Sequence, residues 1–150
     1  MKDLKLDNDL ISSKSIDINA RPEKVWWILT DPIYISQYLF GSQTITDWKP
    51  GSPILFKINF ENQEFVDKGF VVENTEYETL KYRYWSGFCG LEDKPENYSM
   101  VSYEIEKIDN DTSKLTWTQT GFADENSRLS SENSLVDIME QIKTLAEESN

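Results

Sequence analysis

The chain offers carboxylates, phenols, Arg83 and a single thiol as candidate side chains for chemistry. It contains no histidine and one cysteine, Cys89. Ser-His and Cys-His nucleophilic systems are therefore excluded, as are zinc sites built from the usual ligand types. Asp109-Asn110-Asp111-Thr112-Ser113 opens like a calcium loop, but its sixth position is Lys114 rather than Gly and its twelfth is Thr120 rather than Glu. A turn between two strands accounts for these residues better, because Asp and Asn side chains hydrogen-bond to turn backbone. The carboxylates placed for acid–base work are Asp67, Glu73, Glu76, Glu78 and Glu104. Most fall on expected solvent faces of strands or in turns, where a carboxylate keeps its ordinary acidity. Cys89 lies between Phe88 and Gly90 with Lys94 as the one nearby cation, which predicts an inert thiol. No metal and no cofactor is expected.

A stronger signal comes from residues that alternate along strands. Ile54, Phe56, Ile58 and Phe60 form one apolar row, and Phe70 with Val72, Leu80 with Tyr82 and Tyr84, and Val101 with Tyr103 and Ile105 repeat the pattern. Leu115, Trp117 and Gln119 do the same in the last strand. Placed on one face, these rows predict a wall of Phe56, Ile58, Phe70, Tyr82, Tyr84, Tyr103, Trp117 and Gln119. Buried Tyr and Trp need partners for their polar tips, and a buried Gln needs several. Two arrangements satisfy that need. One is a filled core whose hydroxyls bond the backbone, and the other is an aromatic pocket with a few orienting polar atoms. Tyr34, Tyr38 and Phe40 beside Gly41 are expected to form a lip of such a pocket, and the segment from Ser86 to Asn97 the opposite one.

The elements that would position these residues follow from local pattern. Residues 1 to 9 read as a loose leader. Ile11 to Asn19 reads as a half-buried strand, with Ile16 and Ile18 alternating with Ser15 and Asp17. Pro22 and Glu23 suit a helix's first turn, and Val25, Trp26 and Leu29 share one helical face. Pro32 stops that helix near Thr30, and a short helix or turn follows from Ile33 to Leu39. A strand is expected over Thr44 to Trp48, closed by a Lys49-Pro50-Gly51 turn. The later strands lie too close together for helical crossovers, so an antiparallel meander is required. From Ser131 to Glu147, Leu135, Ile138, Met139, Ile142, Leu145 and Ala146 fall on one stripe of a helix about 25 Å long. An isolated helix of that length is marginal in water, so it must lie on the sheet. Leu135 and Met139 then face the same space as the aromatic wall.

At 150 residues the chain has the size of one domain with one core. Its formal charge of −12 repels phosphate, and no run of Lys and Arg is denser than Lys81 with Arg83, so nucleic acid is excluded as a partner. No stretch has the roughly 20 apolar residues that membrane insertion needs, and Lys2, Asp3, Lys5 and Asp7 stand where a signal peptide would be apolar. A cytoplasmic location is expected, in keeping with the lone Cys89.

Ile18-Asn19-Ala20-Arg21-Pro22-Glu23-Lys24-Val25-Trp26, followed by Leu29-Thr30-Asp31-Pro32, resembles the opening signature of the activator of Hsp90 ATPase homologue family. That family is part of the START-like, Bet v 1-like superfamily. Trp48-Lys49-Pro50-Gly51, Leu80-Lys81-Tyr82 and Leu115-Thr116-Trp117-Thr118-Gln119-Thr120-Gly121-Phe122 extend the resemblance over residues 11 to 146 in order. It implies an α+β helix-grip fold: a curved antiparallel sheet of six to seven strands, two short helices after the first strand, and a cavity under a long C-terminal helix. Superfamily members include lipid and hormone carriers, aromatic polyketide cyclases and cochaperone domains. Where many relatives carry a His this chain has Gln119, and where many have Gly-Trp it has Asn133-Ser134. The reading that follows is a non-catalytic binding domain for a hydrophobic or aromatic small molecule. Its alternatives are a cyclase-like enzyme using Tyr82, Tyr103 or Arg83, and a domain that binds a chaperone as the Hsp90 activators do.

Overall fold

The structure, a computed structural model, describes residues 5–148. Seven strands form one antiparallel sheet in the order β1-β7-β6-β5-β4-β3-β2. Strand β1 (Asp7–Ile18) leads into helices α1 (Pro22–Thr30) and α2 (Pro32–Tyr38). A meander follows through β2 (Gln43–Ile45), β3 (Pro53–Phe60), β4 (Gln63–Thr75), β5 (Thr79–Trp85), β6 (Ser99–Asp109) and β7 (Thr112–Phe122). Helix α3 (Glu125–Glu148) ends the described chain and lies across the sheet.

The two short helices form for local reasons. Pro22 and Pro32 each open a helix where an N–H is not needed. Asp31 ends α1 in extended geometry and caps α2, its carboxylate accepting from the Ile33 N–H at 2.9 Å. The Tyr38 hydroxyl then donates to the Leu29 carbonyl at 2.8 Å, locking the pair together at the C-terminal end of α1.

Between sheet and helices lies one core. It includes Ile18, Val25, Ile28, Leu29, Ile54, Leu80, Leu115 and Ile142, all inaccessible to solvent. From α3, Leu135, Ile138, Met139, Ile142 and Ala146 are buried, as their stripe requires. Two polar ties fasten this helix to β1 near its C-terminal end. Glu147 accepts from the Asn19 N–H at 2.8 Å, and Lys143 donates to the Asp17 carbonyl at 3.1 Å.

Four expectations change. Residues 7–9, expected in a loose leader, belong to β1, which starts at Asp7; residues 1–4 lie outside the described residues. Strand β2 ends at Ile45 rather than Trp48, since Trp48 takes a left-handed φ of 60° and donates its indole N–H to the Thr30 carbonyl. Helix α3 begins at Glu125, six residues before the expected start at Ser131, because the Asp124 carboxylate caps it by accepting from Ser127 N–H at 2.8 Å. Most consequential is β4, which is longer than expected and faces the other way. Glu61 and Asn62 have φ of 52° and 65°, the signature of a two-residue type I′ hairpin, which sets Phe60 opposite Gln63 and therefore Phe56 opposite Asp67. Asp67, Gly69 and Val71 point into the core; Phe70 and Val72 are on the outer face.

Candidate functional site

Near the N-terminal half of α3 the helix and sheet do not close on each other. They leave a pocket of about 250 Å³. Its floor is built by inward residues of neighbouring strands: Phe56 and Ile58 from β3, Tyr82 and Tyr84 from β5, Val101 from β6, Trp117 and Gln119 from β7. Leu135 and Ile138 of α3 form the roof with Ser131 and Ser134, and Leu39, Phe40 and Ser42 form one rim. Phe40, 74% exposed with a φ of 54°, stands at the opening.

Eight of the twelve residues expected at such a site therefore meet at this pocket: Phe40, Phe56, Ile58, Tyr82, Tyr84, Trp117, Gln119 and Leu135. Tyr38, Tyr103 and Met139 instead pack in the closed core beside it. Their polar tips are satisfied internally, Tyr38 on the Leu29 carbonyl and Tyr103 by a 2.6 Å hydroxyl–hydroxyl bond with Tyr82. A chain of aromatic contacts, Phe56 to Tyr82 to Tyr103 to Trp117 to Tyr38, carries that core into the pocket wall. Phe70 is the correction. It sits 43% exposed on the opposite face, its ring against Tyr98. Arg83 shares that outer face, paired opposite Phe70 in the sheet, and so does not reach the pocket.

Asp67 is the residue that apolar alternation missed. It was expected on a solvated face, yet it is 3% exposed and lines the pocket. The Tyr84 hydroxyl donates to its Oδ2 at 2.5 Å. Among the described residues no Lys or Arg forms an ion pair with it. The signal that finds it is the hairpin: once Glu61-Asn62 is read as a two-residue turn, inward Phe56 fixes Asp67 as inward too. Gly69 lets the pair form. It lies opposite Tyr84, carries no side chain between that ring and Asp67, and its backbone is so close to β5 that a Cβ would stand 1.9 Å from the Arg83 carbonyl oxygen.

Gln119 is held from one side. Its Nε2 donates to Ser99 Oγ at 3.1 Å, and Ser99 Oγ donates to the Tyr84 carbonyl at 3.1 Å. Because the Ser99 proton is committed to that carbonyl, Ser99 must accept from the amide nitrogen, which leaves the Gln119 carbonyl oxygen as a free acceptor. Ser42 is 3% exposed and its hydroxyl has no partner. The phenols are all held neutral. Burial raises Tyr82, Tyr84, Tyr103 and Tyr38 above the ordinary tyrosine value, and the Asp67 charge pushes Tyr84 up further.

A second recess of about 440 Å³ adjoins the pocket across Tyr84 and Gln119, which line both. Leu6, Phe88, Cys89, Phe122 and the first turns of α3 surround it, so the 86–97 segment borders this recess rather than the inner pocket. Among the described residues no three Cys, Asp or Glu side chains converge as a metal site. The Asp109–Asp111 stretch is the β6–β7 hairpin turn, with the Asp111 N–H donating to Asp109 Oδ1 at 2.9 Å. Among the described residues no helix is long and apolar enough to cross a membrane.

A seven-stranded antiparallel sheet holding a long C-terminal helix, with a helix pair after the first strand, defines a helix-grip domain of the START-like, Bet v 1-like class. Within that class the chain belongs to the activator of Hsp90 ATPase homolog 1-like protein family, whose model matches residues 19–147. Among solved structures, ChR145 from Cytophaga hutchinsonii is 31% identical and superposes with a TM-score of 0.78, covering 92% of this chain and 94% of that one. The Aha1 dimer from Colwellia psychrerythraea is 15% identical with a TM-score of 0.71, over 92% and 96% of the two chains. PFC0360w, an HSP90 activator from Plasmodium falciparum, is 17% identical with a TM-score of 0.71, over 91% and 95%. The latter two establish a shared fold. No curated protein matches the sequence.

Proposed function

We propose that this chain is a non-catalytic binding domain that holds one small hydrophobic or aromatic molecule in the pocket between the sheet and α3. The supporting observation is the composition of that space: aromatic and aliphatic walls with a few fixed polar atoms, the usual construction of a small-molecule site. Its volume of about 250 Å³ lies just below the roughly 300–1,000 Å³ common for such sites, which suits a ligand of one ring and a short tail.

A cyclase-like reading needs a tyrosine or arginine able to move a proton on the ligand. Arg83 is on the outer face, and burial raises the pKa of Tyr82 and Tyr84 further above neutral pH, holding both phenols protonated. A chaperone partner draws support from the likeness to an HSP90 activator of Plasmodium falciparum, but at 17% identity that likeness speaks to fold.

The test is an amide and methyl NMR titration with phenethyl alcohol, a neutral probe of suitable size. Saturable shifts confined to the neighbourhood of Phe56, Tyr82, Trp117 and Ile138, and abolished in a folded Leu135→Trp variant that fills the roof, are the expected result. Shifts that are absent, or scattered over the surface and unaffected by Leu135→Trp, would refute the reading.

A further inference from the structure

We infer that the pocket selects an organic cation, a protonated amine carried on an aromatic or short aliphatic body, with Asp67 as its counter-ion. This rests on the binding function proposed above and names the ligand class.

The polar atoms of the pocket are acceptors. Asp67 contributes a carboxylate that is 3% exposed and has the Tyr84 hydroxyl as its one hydrogen-bond donor among the described residues. A carboxylate offers about four lone-pair positions, so one phenol leaves most of its capacity unused. The Gln119 carbonyl oxygen is a second free acceptor, since the Gln119 amide nitrogen is committed to Ser99. Ser42, buried without a partner at the rim, adds a hydroxyl that can accept as well. Among the described residues no Lys or Arg lines the pocket. A buried carboxylate without a cation is costly, and the deficit here is one positive charge and several N–H donors. An alkylammonium supplies both, with three donors on a compact charge.

The surroundings favour the same ligand. Phe56, Tyr82, Tyr84 and Trp117 line the space, and aromatic rings attract cations over their faces. The net charge of −12 concentrates cations at the mouth and repels anions. Fatty acids and phosphate esters are disfavoured on both counts, because their head groups would lie beside Asp67 with no basic residue to receive them.

Three probes of one shape separate this inference from the function it rests on: phenethylamine, phenethyl alcohol and phenylacetate. Each is titrated into the full chain by calorimetry, with NMR shifts locating the site. The expected result is at least tenfold tighter binding of the amine than of the alcohol, with phenylacetate weaker than both. Asp67→Asn should bring the amine-to-alcohol affinity ratio below about threefold, and Ser42→Ala should lower that ratio as well. If alcohol and amine bind alike in the unaltered protein, the cation inference is overturned and the binding pocket stands. If none of the three binds in the pocket, both fall. The comparison in the unaltered chain decides the matter even if Asp67→Asn does not fold.

Discussion

Replacing Tyr84 by Phe removes one hydroxyl from the structure and leaves its ring in place, edge-on to Phe56 at a centroid distance of 5.7 Å. What changes is Asp67. Its carboxylate, 3% exposed, loses the donor that sits 2.5 Å from Oδ2. A hydrogen bond to a charged group contributes about 1.5–3 kcal/mol, and a charged acceptor left buried and unpartnered places the loss toward the upper end of that range. Tyr84→Phe should therefore cost about 2–3 kcal/mol, lowering Tm by roughly 5–10 °C for a chain of this size. Asp67→Asn should cost less, about 1 kcal/mol, because an amide oxygen still accepts from Tyr84 and the buried charge is gone. In the double variant the hydroxyl has no charge to compensate, so its loss should be at least 1 kcal/mol smaller than the sum of the two single losses. Urea unfolding of the four proteins, with unchanged m-values, reads the cycle directly. A Tyr84→Phe effect below about 0.5 kcal/mol, or strict additivity in the double variant, would refute the assignment of Tyr84 as the partner of a buried charge.

Ile142→Ala, at a fully buried position of α3, should cost about 2–5 kcal/mol in the same urea assay, with Val136→Ala on the exposed side of that helix nearly neutral. Gly69→Ala forces a methyl against the Arg83 carbonyl backbone, so it should destabilise by more than the few tenths of a kcal/mol typical of surface changes and shift amide resonances along β4 and β5. At alkaline pH the phenols set the response. Tyr38, Tyr82, Tyr84 and Tyr103 ionise less readily in the folded than in the unfolded chain, so their contribution is intact below the free value of about 10 and is lost as pH rises beyond it. The urea midpoint should hold up to about pH 9 and fall above about pH 10; a midpoint flat to pH 11 would contradict the burial of these groups.

Much of this architecture is legible from period and punctuation. Proline marks two helix starts, while alternation in β3, β5, β6 and β7 and the 3.6-residue stripe of α3 report burial directly, and six of the eight expected residues at the pocket meet there because β3, β5 and β7 are in phase. The failures share a physical cause. Alternation was read in β4 from its apolar members, Phe70 and Val72, but the inner face there carries a carboxylate, a glycine and one valine. A functional face that buries charge has the hydropathy of an outer face. Register, set by the Glu61-Asn62 turn, is the constraint that resolves the ambiguity. The first turns of α3 escaped for a related reason. They are stabilised by the Asp124 cap and by Arg128 bridging Glu125 and Glu132, none of which leaves an apolar period to count.

Tyr84 stands between two spaces, the inner pocket and the larger outer recess, and its orientation is fixed by Asp67 rather than by the backbone. It is thus a partition whose latch is a single hydrogen bond. A ligand that takes over the Asp67 oxygen competes for the latch itself, and with the ring displaced the two volumes would merge into one well within the range of drug-sized sites. For the binding function proposed above, the size of ligand admitted is then set by Tyr84 and its partner Asp67, so changes at these two positions should alter ligand length.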